Sequence, residues 1–262
     1  MAFLELHYHS DALKMGVSVN VILPEKAKKT LIGMDSALSD SQTYKTLFLL
    51  HGLSDDHTIW MRRTSIERYA AKAGIAVVMP SVARSWYTDT ADGADYLTFI
   101  TEELPDVCRS YFRRMSDKRE DTFIAGLSMG GYGAIKAALV CPERFGACAS
   151  LSGALDIASF TAIPMNSEWQ GIFGFGLNST AELKDTKHDI FALARKNIEN
   201  GTPFPKLFMW CGVNDNLIDA NRRFDTLLCE NGIEHAYAES EGDHSWEWWD
   251  KHIQDAINYF LL

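Results

Sequence analysis

A chain of 262 residues, 47% hydrophobic and 23% charged, has the size and balance of one large globular domain, and its composition is not that of a disordered, fibrous or membrane-embedded protein. Its 35 acidic and 25 basic side chains leave a net charge of -10, the wrong sign for a nucleic-acid backbone or an anionic membrane surface as partner. Cys108, Cys141, Cys148, Cys211 and Cys229 are odd in number, scattered and without a C-x-x-C pair, so reduced, structural thiols are expected in place of a disulfide framework or a zinc site.

The first ten residues show neither a basic segment nor the apolar run of a secretory signal, and no apolar stretch approaches the ~18 residues that span a bilayer, so cytoplasmic residence is the expectation. Residues 17–23 set Val17, Val19, Val21 and Leu23 against Ser18, Asn20 and Ile22, the period of a strand with one buried face. Pro24 stops it. A polar stretch to Thr43 leads to apolar runs at 45–50 and 75–79, typical of strands buried on both faces, with helical composition over 64–72 between them. Residues 95–111 place Leu97, Ile100, Leu104, Val107, Cys108 and Tyr111 near a helical period, and Pro105 predicts a kink or a break.

A strand over 122–127 runs directly into Ser128 and a helix over 132–140, and further strands are predicted over 147–151 and 206–211. Between those two, residues 155–200 carry Gly, Pro and aromatic residues with little periodicity and read as an insertion, a lid or pocket wall on the scaffold. The chain closes with a helix over 217–229, a turn at Asn231-Gly232, a strand over 235–238 and a final helix with Trp246, Trp249, Ile253, Ile257 and Phe260 on one face. Strands alternating with helices predict an α/β fold, a mostly parallel sheet covered on both faces, in a single domain over 1–262.

The segment Gly126-Leu127-Ser128-Met129-Gly130-Gly131 has the G-x-S-x-G pattern at a strand-to-helix turn. A serine there occupies a strained turn, and small residues two before and two after it let strand and helix approach closely. Ser128 is thus the candidate nucleophile, and the absence of a following Gly-Lys-Ser/Thr disfavours a nucleotide-binding loop. A serine hydroxyl needs a base to take its proton and an acid to orient that base. Asp215 follows the strand 206–211 and His244 follows the last strand, in the chain order that this architecture uses. Asp219, one helical turn later, and Asp243, beside the histidine, compete for the acid's place; the first is expected to point along a helix and the second to cap one. His51-Gly52-Leu53, after the strand 45–50, has the position of the loop that supplies an oxyanion donor, so the backbone N–H groups of Leu53 and Met129 form the expected hole. His51 itself is expected to brace that turn.

The segments HGLSDDHTIW, VVMPSVARSWYTDT, FIAGLSMGGYGA, CGVNDNL and GDHSWEWWD, in this order, resemble the esterase D family of α/β-hydrolases, near the bacterial tributyrin esterases and related to S-formylglutathione hydrolases and feruloyl esterases. The resemblance runs over nearly the whole chain. It implies an α/β-hydrolase fold with a small lid insertion, a triad of Ser128, Asp215 and His244, an oxyanion hole at Leu53 and Met129, and no metal or organic cofactor. It also points to a homo-oligomer, a dimer or tetramer.

Trp60, Trp86, Tyr87, Trp169, Phe173, Phe175 and Trp246 fall in or beside loops expected at the carboxyl edge of the sheet. About half are expected to be core, and those in 81–95 and 155–200 are the better candidates for an acyl pocket. Arg62, Arg63 and Arg84 are expected to be solvated or paired with carboxylates. The expected activity is hydrolysis of short-chain acyl esters, acetyl to butyryl, including tributyrin-like, aryl or feruloyl esters. The alternatives are a thioesterase of the S-formylglutathione hydrolase type or an acyltransferase, and a catalytically silent hydrolase fold used as a binding module.

Overall fold

The structure is a computed structural model, and it describes residues 1–25, 43–160 and 165–262. Most of the polar stretch before Thr43 and residues 161–164 of the expected insertion lie outside the described residues.

Eight strands form one sheet: β1 (Ala2–Ser10), β2 (Met15–Leu23), β3 (Thr46–Leu50), β4 (Ala76–Pro80), β5 (Thr122–Leu127), β6 (Ala147–Leu151), β7 (Lys206–Gly212) and β8 (Ala236–Ser240). Their spatial order is β1-β2-β4-β3-β5-β6-β7-β8. β2 is antiparallel to both β1 and β4, and every pairing from β4 to β8 is parallel. This is the α/β-hydrolase architecture expected from the sequence. β1 is an addition to that expectation. Leu4, Leu6 and Tyr8 face inward while Phe3, Glu5, His7 and His9 are exposed, so the strand buries only half its side chains at the sheet edge.

The helices are α1 (Ile59–Arg63), α2 (Ile66–Ala73), α3 (Tyr96–Thr98), α4 (Leu104–Tyr111), α5 (Met129–Val140), α6 (Ser167–Phe173), α7 (Ile190–Glu199), α8 (Ile218–Glu230) and α9 (Trp246–Leu261). α3 and α4 are joined by a π-helical stretch, Phe99–Glu103. Pro105 sits just after it, in the first turn of α4, so the wider turn absorbs the hydrogen bond that a proline cannot donate and the helical path continues.

β3 to β6 are buried at every position, and the pleat sends alternate residues into two cores. Phe48, Leu50, Val78, Ile124 and Cys148 pack with α4, α5, α7 and α8 on one face. Leu47, Leu49, Val77, Phe123 and Ala149 pack with α2 and α9 on the other. Each such Leu, Ile, Val or Phe contributes about 1.5–3 kcal/mol through burial. α9 buries Trp249, Ile253, Ile257 and Phe260, with Trp246 half-buried at its start, which is the face read from its period.

The described residues of 155–200 form short 3-10 turns together with α6 and α7. They are fastened to α5, because Tyr132 donates its hydroxyl to the His188 carbonyl at 2.8 Å and Asn197 Nδ2 donates to the Leu139 carbonyl at 2.8 Å. They are also fastened to residues 81–95, through Ala91 N–H to Ile172 O (3.2 Å), Asp92 N–H to Gly171 O (3.0 Å) and an Arg84–Glu168 ion pair.

Candidate active site

The site is assembled where three strands end. β5 passes into α5 through Ser128, whose φ of 52° and ψ of -117° lie in a region that residues with a Cβ rarely adopt. The turn is held by its own backbone: Ser128 N–H donates to Leu151 O at 3.0 Å, and its carbonyl accepts from Tyr132 N–H and Ala154 N–H, each at 3.1 Å. It is also made possible by its glycines. A Cβ on Gly126 would stand 2.4 Å from the Gly130 backbone, and one on Gly130 would stand 2.6 Å from the Leu50 carbonyl oxygen. Strand and helix therefore meet at a distance that only glycine permits.

The loops after β7 and β8 are pressed together in the same way. A Cβ on Gly212 would lie 2.3 Å from the Gly242 carbonyl oxygen, and the bonds Val213 N–H to Ser240 O and Asn214 N–H to Gly242 O, both 2.9 Å, tie the two loops. This brings Asp215 to His244. Asp215 Oδ2 lies 2.8 Å from His244 Nδ1, and His244 Nε2 lies 3.0 Å from Ser128 Oγ. The imidazole also meets the Trp249 ring edge-on at 4.9 Å, which limits its rotation.

Asp215 is 3% exposed, and its second oxygen accepts from Leu217 N–H at 2.9 Å. Burial pushes its carboxyl up, but the hydrogen bonds from His244 and the Leu217 N–H outweigh burial and hold it below its ordinary value. It is ionised at neutral pH and favours the Nδ1–H tautomer, which leaves the Nε2 lone pair facing the Ser128 hydroxyl. Its sequence competitors lie elsewhere. Asp219 is exposed and pairs with Arg222 at 3.8 Å. Asp243 is exposed and does not form the expected helix cap: Ser245 occupies the cap position of α9, and the Asp243 carbonyl accepts from Ser245 N–H at 3.0 Å.

Leu53 lies in the loop after β3 and Met129 is the first residue of α5. Among the described residues neither backbone N–H has a protein acceptor, and the Met129 N–H is one of the unpaired donors at the positive end of its helix. The Leu53 loop is braced from beneath. His51 is buried, with Nδ1–H donating to Gly52 O at 2.7 Å and Nε2 accepting from Val82 N–H at 3.1 Å. Burial lowers its pKa to about 4, so it works as a neutral strut.

Trp60 and Tyr87, both candidates for the pocket, serve as props for this loop. Trp60 is 1% and Tyr87 0% exposed, so neither ring has surface to offer a substrate. The Trp60 indole N–H donates to Leu50 O at 3.0 Å and the Tyr87 hydroxyl to His51 O at 2.9 Å. A buried aromatic with a polar tip settles where that tip finds an acceptor, and here the acceptors are the backbone carbonyls under the Leu53 loop. Trp246 is half-buried and stacks edge-on against Trp60 at 5.1 Å and Trp249 at 5.3 Å. Phe175 is exposed and stands apart.

Trp86, Trp169 and Phe173 come together, with ring centroids 5.3 Å apart for Trp86–Trp169, 6.1 Å for Trp86–Phe173 and 5.1 Å for Trp169–Phe173. Trp86 also meets Tyr132 of the first turns of α5 at 5.6 Å. Trp86 and Tyr87 both have positive φ, 53° and 49°, and a Cβ on Gly133 would strike the Tyr87 ring at 2.4 Å, so this strained loop is seated tightly on α5. Arg62 pairs with Asp56 at 3.8 Å and Arg84 with Glu168, while Arg63 is exposed.

Lys136 was missed by sequence reasoning. It is 1% exposed, donates to Thr88 Oγ1 at 2.6 Å and lies 3.4 Å from His188 Nδ1. Burial, with a smaller contribution from Lys187, lowers its pKa to about 7. The only sequence signal was a cation in the middle of an otherwise apolar helix.

The family model Esterase, described as "Putative esterase", matches residues 10–260. An acetyl esterase of Caldicellulosiruptor saccharolyticus is 34% identical, across 99% of this chain and 98% of that protein. A substrate-bound fluorophosphonate-binding serine hydrolase of Staphylococcus aureus superposes with a TM-score of 0.88 at 36% identity, covering 100% of this chain and 98% of that one. The S-formylglutathione hydrolase of Staphylococcus aureus, as apoenzyme, gives a TM-score of 0.85 at 35% identity, with 100% and 99% covered.

Proposed function

The chain belongs to the Esterase family and is a serine carboxylesterase of α/β-hydrolase fold, and on that premise we propose that it hydrolyses short-chain acyl esters, acetyl to butyryl, through an acyl-enzyme on Ser128. The observation that carries the mechanism is the unbroken line from Asp215 Oδ2 to His244 Nδ1 (2.8 Å) and from His244 Nε2 to Ser128 Oγ (3.0 Å). Ser128 Oγ adds to the ester carbonyl carbon while its proton passes to His244 Nε2. The carbonyl oxygen becomes an oxyanion facing the Leu53 and Met129 N–H groups, each such donor contributing about 3–4 kcal/mol to the transition state. Collapse breaks the bond to the alcohol, which leaves with the proton held by His244. Water then repeats the sequence, releasing the acid and restoring the serine. Asp215 stabilises the imidazolium and stays ionised throughout.

The acyl range is supported by the acetyl esterase relative, 34% identical along the full length. The proposal includes the segment 155–200 as pocket wall of a single domain. It also includes cytoplasmic residence, consistent with five free cysteines, and assembly as a dimer or tetramer. Thioester hydrolysis is a second reading, favoured by the 35% identity to the S-formylglutathione hydrolase. Ser128→Ala should abolish p-nitrophenyl acetate turnover and fluorophosphonate labelling together; labelling that survives the change would assign the nucleophile elsewhere. Rates on acetyl, butyryl, octanoyl and feruloyl esters and on S-formylglutathione separate the acyl readings, and a preference for octanoyl would overturn the short-chain one.

A further inference from the structure

At the opposite end of β8 from His244, three side chains that play no part in the proposed mechanism converge. Asp225 and Cys229 stand one helical turn apart on α8, and His235 immediately precedes β8. Asp225 Oδ1 lies 2.8 Å from His235 Nε2 and 3.8 Å from Cys229 Sγ, and one ligating atom from each residue falls within 4.8 Å of the other two. The His235 side chain is only 5% exposed, while Cys229 is open to solvent.

The hydrogen bonds of His235 ask for one more proton or metal ion than a neutral imidazole carries. Its Nδ1 is 2.7 Å from the Ile233 carbonyl oxygen and its Nε2 is 2.8 Å from the Asp225 carboxylate, so both ring nitrogens face acceptors. A neutral imidazole has one N–H. With that proton on Nδ1, two lone pairs would oppose each other at Nε2, and either a second proton or a metal ion must sit between them. An Nδ1–H donated to a backbone carbonyl is the outer-shell bond that orients a histidine ligating through Nε2. Cys229 Sγ on the same carboxylate oxygen supplies a soft third ligand, and a thiolate plus a carboxylate balance a divalent charge.

We propose that Asp225, Cys229 and His235 bind one borderline divalent ion of the Zn2+ class, with the fourth tetrahedral position open to solvent. Ligand atoms around such an ion stand about 3.3 Å apart, so the His235–Asp225 pair opens by roughly half an ångström and Cys229 Sγ, within 4.8 Å of both partners, closes onto them. The ion would clamp α8 to the start of β8. It lies away from the triad, so its role is structural or inhibitory by stiffening and not a step of ester hydrolysis. The spacing D-x3-C-x5-H is no zinc signature in sequence; the turn at Asn231-Gly232 brings the histidine back onto the helix.

The test is a Co2+ titration of the whole, chelator-stripped protein, followed optically. One equivalent should bind with a near-ultraviolet sulfur-to-metal charge-transfer band. Cys229→Ser should remove that band, and His235→Gln should weaken binding by more than the roughly 10- to 100-fold that loss of an outer-shell partner costs. Zn2+ should also shield Cys229 from iodoacetamide, read by mass spectrometry on the unmutated protein, so the result does not depend on the variants folding. Unchanged p-nitrophenyl acetate turnover in both variants confirms that they are folded. The proposal is overturned if no stoichiometric binding occurs, as for an imidazolium–carboxylate pair, if binding persists in Cys229→Ser and His235→Gln, or if Zn2+ leaves the alkylation of Cys229 unchanged.

Discussion

Asp215→Asn is the sharpest test of the triad, because the structure dictates how the new amide must sit. One Asp215 oxygen accepts from Leu217 N–H at 2.9 Å and the other faces His244 Nδ1 at 2.8 Å. An asparagine keeps the first bond only by placing its carbonyl oxygen toward Leu217, which turns its NH2 toward His244. The imidazole must then accept at Nδ1 and carry its proton on Nε2, the atom 3.0 Å from Ser128 Oγ. Nε2–H would then donate to Ser128 Oγ, and with no lone pair left on Nε2 the imidazole could not take the serine proton. The equivalent tautomer error costs about 10⁴ in kcat, or roughly 5.5 kcal/mol of transition-state stabilisation. Steady-state turnover of p-nitrophenyl acetate and the rate of fluorophosphonate labelling should fall together, while KM changes little because Asp215 does not touch the substrate. A variant that stays within tenfold of the parent, or an Asp243→Asn variant that loses as much, would refute the assignment of the acid.

Gly130→Ala should place a Cβ 2.6 Å from the Leu50 carbonyl oxygen, a backbone atom that cannot rotate aside. We expect a loss of about 1–3 kcal/mol in urea-denaturation stability and a fall in kcat as α5 moves off the Leu53 loop of the proposed oxyanion hole. Tyr87→Phe removes the donor to His51 O, 2.9 Å away in the core; stability should drop by about 1–3 kcal/mol, and kcat should drop with KM nearly constant, whereas a pocket residue would move KM. Lys136 is held at about 7 by burial against 10.5 in the unfolded chain, so the unfolded state binds more protons between those values and stability should climb with pH across that window. Lys136→Met should flatten that climb in urea midpoints measured from pH 6.5 to 9.5, and parallel profiles for parent and variant would refute the burial argument.

The parts legible in the sequence were those where the backbone itself imposes a residue type. Strands buried on both faces must be apolar throughout, as in the runs ending at Leu50 and Leu127, and the nucleophile turn must have glycine where a Cβ would meet the Gly130 or Leu50 backbone. β1 escaped notice although Leu4, Leu6 and Tyr8 alternate correctly, because its outward set includes Phe3, 44% exposed, and an apolar residue on the solvent face blurs the period that separates strand from coil.

Side-chain partnership was less legible, for a different reason. Trp60, Tyr87 and Trp86 are all aromatic residues in segments following strands, and composition gives them equal claim to a pocket. What the folded chain adds is each ring's partner: the Trp60 indole meets Leu50 O and the Tyr87 hydroxyl meets His51 O, while Trp86 packs on Trp169, and all three are buried. The same holds for His235 and His244. Each is a histidine at an end of the same strand with a carboxylate at 2.8 Å. They differ at the second nitrogen: for His244 it faces a hydroxyl that can donate, the contact on which the proposed base rests, and for His235 it faces a carbonyl that can only accept, the contact on which the proposed metal site rests. That distinction depends on one long-range contact per ring, and such contacts come into being only when the sheet has closed.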